Sequence, residues 1–267
     1  MANSNGWGDG AANNAIGWGQ GANNAIGWGD IHADSWVGLT DIVGVAAFTG
    51  ILDTYSGASA AYSVRRLSST YTGNLIRVRR SSDNTEQDIG YDSNNVLDTT
   101  TLLSFVGAGN GFVTTWYDQS GNANNAAQTT ALNQPQIVSS GSLLTINSKP
   151  CLMISTNNMG FSLGSTISVG ASNYNSFVGK KDGAGTMLRV LTSAAADGYK
   201  LMNTYDNKYY IYAKAGSYLV SNSADTTTSQ ILLTGMNVAG TMSIYKNGSV
   251  VATTLNSYNY TNSIGII

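Results

Sequence analysis

From about residue 40 onward, short apolar runs rise out of a polar background and end in clusters of Gly, Asn and Ser. Examples are Leu75-Ile76-Arg77-Val78-Arg79, Gly111-Phe112-Val113-Thr114-Thr115-Trp116-Tyr117 and Lys208-Tyr209-Tyr210-Ile211-Tyr212. Gln230-Ile231-Leu232-Leu233-Thr234 and Met242-Ser243-Ile244-Tyr245-Lys246 continue the series. Their β-branched and aromatic content, with turn residues between, predicts strands. In Leu75–Arg79 the alternation puts Arg77 and Arg79 on one face and turns Val78 to the core. Lys246-Asn247-Gly248-Ser249 predicts a two-residue hairpin, with Val250-Val251-Ala252 as the return strand. Asn-Gly supplies the two positive-φ positions of a type I′ turn. Two short helices are expected. One covers Ala58 to Leu67, where Ala61, Val64 and Leu67 recur at helical spacing. The other runs from Asp98 to Val106, with Asp98 placed to cap it. Many short strands with few helices predict a mainly β, antiparallel sandwich.

The first 40 residues have another texture. Ala-Asn-Asn-Ala-Ile-Gly-Trp-Gly occurs at 12–19 and again at 22–29. An earlier degenerate copy holds Trp7, and Trp36 follows in a drifted position. With one large aromatic per ten residues and a glycine-rich backbone, such a segment cannot build its own core. Residues 1–40 are therefore expected to be an extended attachment strap, with Trp7, Ile16, Trp18, Ile26, Trp28 and Trp36 as anchors in a partner. Residues 41–267 form the sandwich.

Composition narrows the picture. Of 267 residues, 42 % are hydrophobic, enough for a core, and only 10 % are charged, against roughly a quarter in ordinary domains. A net charge of −2 offers no basic field for nucleic acid. Cys151 is the single cysteine, so no intramolecular disulfide can form. The opening residues lack the basic and apolar regions of a signal peptide, and no apolar run is long enough to span a membrane. The expectation is synthesis in the cytoplasm.

Three stretches carry a family resemblance. Ala61-Tyr62-Ser63-Val64-Arg65-Arg66-Leu67, then Tyr71-Thr72-Gly73-Asn74-Leu75-Ile76-Arg77-Val78-Arg79-Arg80-Ser81-Ser82-Asp83, and above all Trp116-Tyr117-Asp118-Gln119-Ser120-Gly121-Asn122 resemble the catalytic domain of fungal α-L-arabinofuranosidase B. The resemblance implies a concanavalin-A-like sandwich, a module that recurs in laminin-G-like and lectin-like form in phage virion proteins. The Gly-Trp-Gly opening, closed by Ile31-His32-Ala33-Asp34-Ser35-Trp36, is similar to the N-termini of virion proteins of phages infecting Bacteroidetes, including crAss-like phages.

Glycoside hydrolysis uses two carboxyl groups. The chain has one glutamate, Glu86, in a polar stretch, and the second half offers Asp182, Asp197, Asp206 and Asp225 in turn-like contexts. On these grounds the sequence predicts a non-catalytic virion protein, a head- or tail-fibre component. It would contact other virion proteins through its strap, form a homo-oligomer (a trimer, as in fibre proteins generally) and display a lectin-like module to cell-surface glycan. The alternatives are an arabinofuranosidase-type hydrolase and a free lectin. Tyr205, Asp206, Asn207, Tyr209 and Tyr218 are the candidate glycan-binding patch. No cofactor is expected. Asp118, Gln119 and Asn122 have the oxygen chemistry calcium uses, but the same residues also read as an Asx turn. His32 and Cys151 have no partners in sequence that suggest catalysis. Arg65, Arg66, Arg77, Arg79 and Arg80 either meet an anionic ligand or pair with Asp83, Asp88 and Asp92. With Ile264-Gly265-Ile266-Ile267 at its end, the sandwich is expected to lack a strand, through either an early stop in the sequence or a last strand supplied by another chain.

Overall fold

The structure, a computed structural model, describes residues 47–267 apart from 157–158, 169–171, 181–187, 191–199, 204–207, 215–216, 222–223, 227, 239, 256–262 and 267. The chain divides into two units, Met1–Phe48 and Thr49–Ile267. The anchors Trp7, Ile16, Trp18, Ile26, Trp28 and Trp36 lie outside the described residues.

The second unit is built from antiparallel strands. In chain order these are β1 (Ile76–Arg80), β2 (Glu86–Ile89), β3 (Gly111–Trp116), β4 (Ala126–Ala127), β5 (Gln136–Ser139), β6 (Ser142–Leu143), β7 (Thr145–Ile146), β8 (Lys149–Pro150) and β9 (Ser162–Ser168). There follow β10 (Asn173–Gly179), β11 (Leu188–Val190), β12 (Lys200–Asn203), β13 (Tyr209–Lys214), β14 (Ser217–Val220), β15 (Ile231–Val238), β16 (Thr241–Lys246), β17 (Ser249–Leu255) and β18 (Ser263–Ile266). The largest sheet runs β18-β9-β4-β3-β1-β2, with β5 and β6 continuing from β3. Two four-stranded sheets, β10-β15-β16-β17 and β11-β12-β13-β14, carry the later part of the chain. The expected antiparallel β-sandwich is what forms.

Alternation decides what each strand buries. Along β15, Ile231, Leu233 and Asn237 face inward while Leu232 stands exposed. Ile231 and Leu233 join Tyr209, Ile211, Met242 and Ile244 in one core. A second core gathers Ile76 and Val78 of β1, Ile89, Val113, Ile137 and Phe161. The β16–β17 hairpin turns through Asn247 at φ 50° and Gly248 at φ 82°, the positive-φ pair the type I′ turn needs.

Two α-helices form among the described residues, α1 (Ile51–Thr54) and α2 (Thr99–Val106), with a single 3-10 turn at Ala131–Asn133. In α2 the Asp98 carboxylate accepts from Thr101 N at 2.9 Å and from Thr101 Oγ1 at 2.6 Å, while Leu102 and Val106 pack into the second core. Those bonds hold the Asp98 carboxyl below its ordinary range. The cap therefore contributes stability above the unfolded pKa of about 3.9 and loses it as pH falls through the folded value. Asp98→Ala should cost about 1 kcal/mol near neutral pH. Urea unfolding should show that difference shrinking below about pH 4.

The expected helix over Ala58–Leu67 does not form; the stretch is irregular, with one isolated bridge from Arg65 to Val96. Its backbone groups are claimed from elsewhere. Ala61 N donates to Asp118 Oδ1 and Leu67 N to Gln119 Oε1, both at 2.8 Å. Leu97 N donates to Val64 O, and Arg66 N to Asn95 O. Helical spacing of Ala61, Val64 and Leu67 is a weaker signal than these tertiary partners.

Candidate functional site

The outer face of β2-β1-β3 collects the polar chemistry of the first half. With Ile76 and Val78 turned into the core, Arg77 and Arg79 point outward. Cross-strand register sets Arg77 beside Asp88 on β2 and Thr115 on β3, and Arg79 beside Glu86 and Phe112. The register with β3 shifts between Arg77 and Val78 and leaves Thr114 as the extra residue of a bulge. Bulges re-aim side chains in this way.

Arg77 grips Asp88 with two parallel bonds, Nε to Oδ1 at 2.7 Å and Nη2 to Oδ2 at 2.8 Å. Tyr117 OH donates to Asp88 Oδ1 at 2.6 Å. The Arg77 bonds, foremost, hold the Asp88 carboxyl below its ordinary range. Burial, then Asp88, pushes the Tyr117 hydroxyl up to about 12. The Arg77 and Asp88 side chains remain 43 % and 30 % exposed, so the pair adds at most about 1 kcal/mol to stability. What it does is fix a negative carboxylate in one orientation.

The loop between β4 and β5 curls over this face. Gln134, 3 % exposed, accepts from Arg79 Nε at 2.8 Å and donates to Gln128 O. Thr114 is also buried, and its hydroxyl lies 3.4 Å from Glu86 Oε2. Glu86 itself is exposed. Arg79 Nη1 donates to Asn84 at 2.7 Å, and the guanidinium carbon sits 5.0 Å from the Phe112 ring centroid.

The pairing expected for the arginines holds for Arg77 with Asp88 and for Arg80 with Asp83. Asp92 instead accepts from Asn94 and Val96 of its own turn. Arg66 donates to Tyr71 O and Asn95 Oδ1 and lies over the Tyr91 ring.

The Trp116–Asn122 stretch works as a brace. Asp118, 5 % exposed, accepts from Ala61 N, Ser120 N, Ser120 Oγ and Asn124 N. The bond to Ser120 N is the Asx turn. Gln119 Nε2 donates to Ser63 O and Arg65 O, and Asn122 Nδ2 to Ala58 O. The three residues weighed as calcium ligands are thus committed to protein groups. Among the described residues no three His, Cys, Asp or Glu side chains come together as a metal site.

The glycan patch is corrected at Tyr209, which is 1 % exposed and belongs to a core. On β13 its neighbour Tyr210 pairs with Val220 and takes the other face. Tyr205, Asp206 and Asn207 lie outside the described residues, as does the Tyr218 side chain. Asp225 is corrected too. It is 9 % exposed, accepts from the Tyr209 hydroxyl and pairs with Lys246 Nζ at 2.6 Å. Its partners come from β13 and β16, which the turn-like sequence around it does not reveal. Burial, with Asp225 adding, raises the Tyr209 hydroxyl pKa. Cys151 is half-buried, and burial raises its thiol pKa.

The family model of the α-L-arabinofuranosidase B catalytic domain matches residues 53–198. Among solved structures, the chain is similar to a GH54 α-L-arabinofuranosidase soaked with a cyclic sulfate inhibitor, at 16 % identity and a TM-score of 0.62. A Glu-to-Gln mutant of a GH54 α-L-arabinofuranosidase, soaked with 4-nitrophenyl α-L-arabinofuranoside, matches at 15 % and 0.64. In both cases 82 % of this chain is covered, and it spans 57 % of theirs. An arabinofuranosidase complexed with arabinofuranosyl-α-1,2-xylobiose matches at 15 % and 0.54, over 82 % of this chain and 60 % of that one. At such identities the structures speak for the fold. No curated protein matches. The expectation of a non-catalytic virion fibre is overturned by these findings, which side with the arabinofuranosidase alternative. A single glutamate and turn-like aspartates suggested lost chemistry, but residue counting is blind to which carboxylates the fold brings to one face. The family model covers more than half of the 267 residues, and the chain belongs to the α-L-arabinofuranosidase B catalytic-domain family.

Proposed function

We propose that the chain is a glycoside hydrolase of arabinofuranosidase type, acting on α-L-arabinofuranosyl groups. The match of residues 53–198 to the family model carries this reading. The chemistry needs two carboxyl groups facing one glycosidic bond. Most described carboxylates are committed to local structure. Asp53 accepts from Gly50 and Ser69 backbone, Asp83 from Arg80, Asp92 from its own turn, Asp98 from the helix it caps, and Asp118 from the braced segment. Asp225 is buried against Lys246.

Asp88 is bonded as well, to Arg77 and Tyr117, but it stands beside Glu86, an exposed carboxylate that meets only the Thr114 hydroxyl among the described residues. Glu86 and Asp88 share the outer face of β2, with their Cα atoms two strand steps, about 6–7 Å, apart. Side chains so spaced can reach the roughly 5–9.5 Å at which carboxyl pairs flank a sugar bond. Asp88, kept ionised by Arg77 and Tyr117, suits the role that needs a negative charge beside the oxocarbenium-like transition state. Glu86, exposed and able to lose water when substrate covers it, suits proton delivery to the leaving oxygen.

The test is release of 4-nitrophenol from 4-nitrophenyl α-L-arabinofuranoside. Glu86→Gln and Asp88→Asn should each lower kcat by at least about a hundredfold, while Asp182→Asn, Asp197→Asn and Asp206→Asn leave it unchanged. Wild-type protein that releases no nitrophenol overturns the proposal. Loss confined to the second-half variants overturns the assignment to β2.

A further inference from the structure

We propose that Arg79 binds a neutral glycosyl unit through its hydroxyls and sets specificity at the Glu86 face. The claim rests on the hydrolase reading for its context, but its own evidence is the geometry around Arg79.

Three observations carry it. The first concerns the guanidinium. Gln134 takes Nε, Asn84 takes Nη1, and the plane is held against Phe112. Among the described residues Nη2 has no acceptor, although the side chain is immobilised on three sides. An arginine fixed this firmly, with one N–H edge unused, is prepared for an external acceptor.

The second concerns Glu86. Register places it directly across from Arg79, yet the two form no ion pair, while Arg77 and Asp88 one row along do. Opposite charges that face each other and stay apart leave a donor and an acceptor bracketing the space between them. A sugar presents both at once, since each hydroxyl accepts from a guanidinium and donates to a carboxylate.

The third is the roof. Gln134, itself part of the β4–β5 connection, is buried and bonded to Arg79, and Thr114 is buried beside Glu86, so one side of this space is walled by protein. With Arg77 balanced by Asp88 and Arg79 by Glu86, the face carries no net charge. It suits a neutral glycosyl ring better than a uronate or a phosphate.

Arg79 is thus a binding residue, not a proton-transfer group, and its removal should act on KM rather than kcat. The experiment titrates the full chain with methyl α-L-arabinofuranoside and, separately, with galacturonate, reading amide shifts by NMR. Kinetics with 4-nitrophenyl α-L-arabinofuranoside run in parallel. Expected are shifts grouped on residues 77–88 and 112–115, at least tenfold weaker binding and higher KM in Arg79→Met, and partial recovery in Arg79→Lys. Arg65→Met, at an exposed arginine away from this face, should match wild type. A thermal melt of Arg79→Met guards against unfolding, and Glu86→Gln, at an exposed position, gives a second test of binding that does not disturb the Arg79 contacts. Wild-type hydrolysis with unchanged KM in Arg79→Met overturns the inference and spares the hydrolase reading. Binding at Arg79 without hydrolysis does the reverse. Tighter binding of galacturonate, or shifts centred elsewhere, overturns the inference.

Discussion

Asp118→Ala should be the most damaging single change in the first half of the domain, costing about 3 kcal/mol or more. The side chain is 5 % exposed, and its two oxygens accept from Ala61 N, Ser120 N, Ser120 Oγ and Asn124 N. Alanine leaves those donors without their acceptor where little water can replace it, and an orphaned buried donor costs about 1–3 kcal/mol. Against a total stability of about 5–15 kcal/mol, that is a large share. Asp118→Asn is the informative companion. The amide keeps one acceptor but turns two N–H groups toward donors at the other position, so it should recover only part of the loss. Urea unfolding gives the magnitude, and hydrogen exchange gives the location. The amides of Ala61 and Leu67 should exchange faster in Asp118→Ala while the β15–β16 core stays protected. A midpoint no different from that of Asp92→Ala, a half-buried turn variant, would show that the brace does not hold this segment.

The same brace shows what the sequence could and could not reveal. Features set by neighbours in the chain are readable. Asn247-Gly248 makes its turn, Asp98 caps its helix, and Val78 goes inward while Arg77 and Arg79 go outward, because each depends on a few adjacent residues. Features set by distant partners are not. Ala58–Leu67 has helical spacing, yet its donors are taken by Asp118 and Gln119, more than fifty positions later in the chain. Tyr209 and Tyr210 are adjacent tyrosines on one strand, and only the register against β14 decides which is buried. The face shared by Glu86 and Asp88 lies between these cases. Alternation along β2 is visible in principle, but Ser-Ser-Asp-Asn-Thr reads as a turn and hides that the strand begins at Glu86 itself. The Trp116–Asn122 stretch, which carries the family resemblance, braces distant backbone through Asp118 and Gln119 and reaches Asp88 through Tyr117.

Lys246→Met should destabilise the domain by about 3–5 kcal/mol, the range for stripping one partner from a buried ion pair. Methionine keeps most of the aliphatic stem, so the loss isolates the ammonium. Asp225 is 9 % exposed, and Lys246, with a side chain 23 % exposed, reaches its Oδ2 at 2.6 Å. Without the cation, a carboxylate stays in a poorly solvated place beside Tyr209, whose hydroxyl is one bond and not a countercharge. The penalty belongs to the stranded charge rather than to the attraction, so it should be relieved by a second change. Lys246→Met combined with Asp225→Asn removes both charges and should recover a clear part of the stability, leaving a coupling of opposite sign to simple additivity. Urea midpoints of the two single variants and the double variant form the cycle. A single-variant cost below about 1 kcal/mol, the level of an exposed pair, would mean that the bridge is solvated. Additive costs would mean that Lys246 and Asp225 act separately. A large single cost with recovery in the double variant would establish the pair as the tie between the β14–β15 connection and the turn end of the β16–β17 hairpin. In that case Asp225 is structurally committed, and its burial is the physical reason to look for the reacting carboxylates on the more open face of β2.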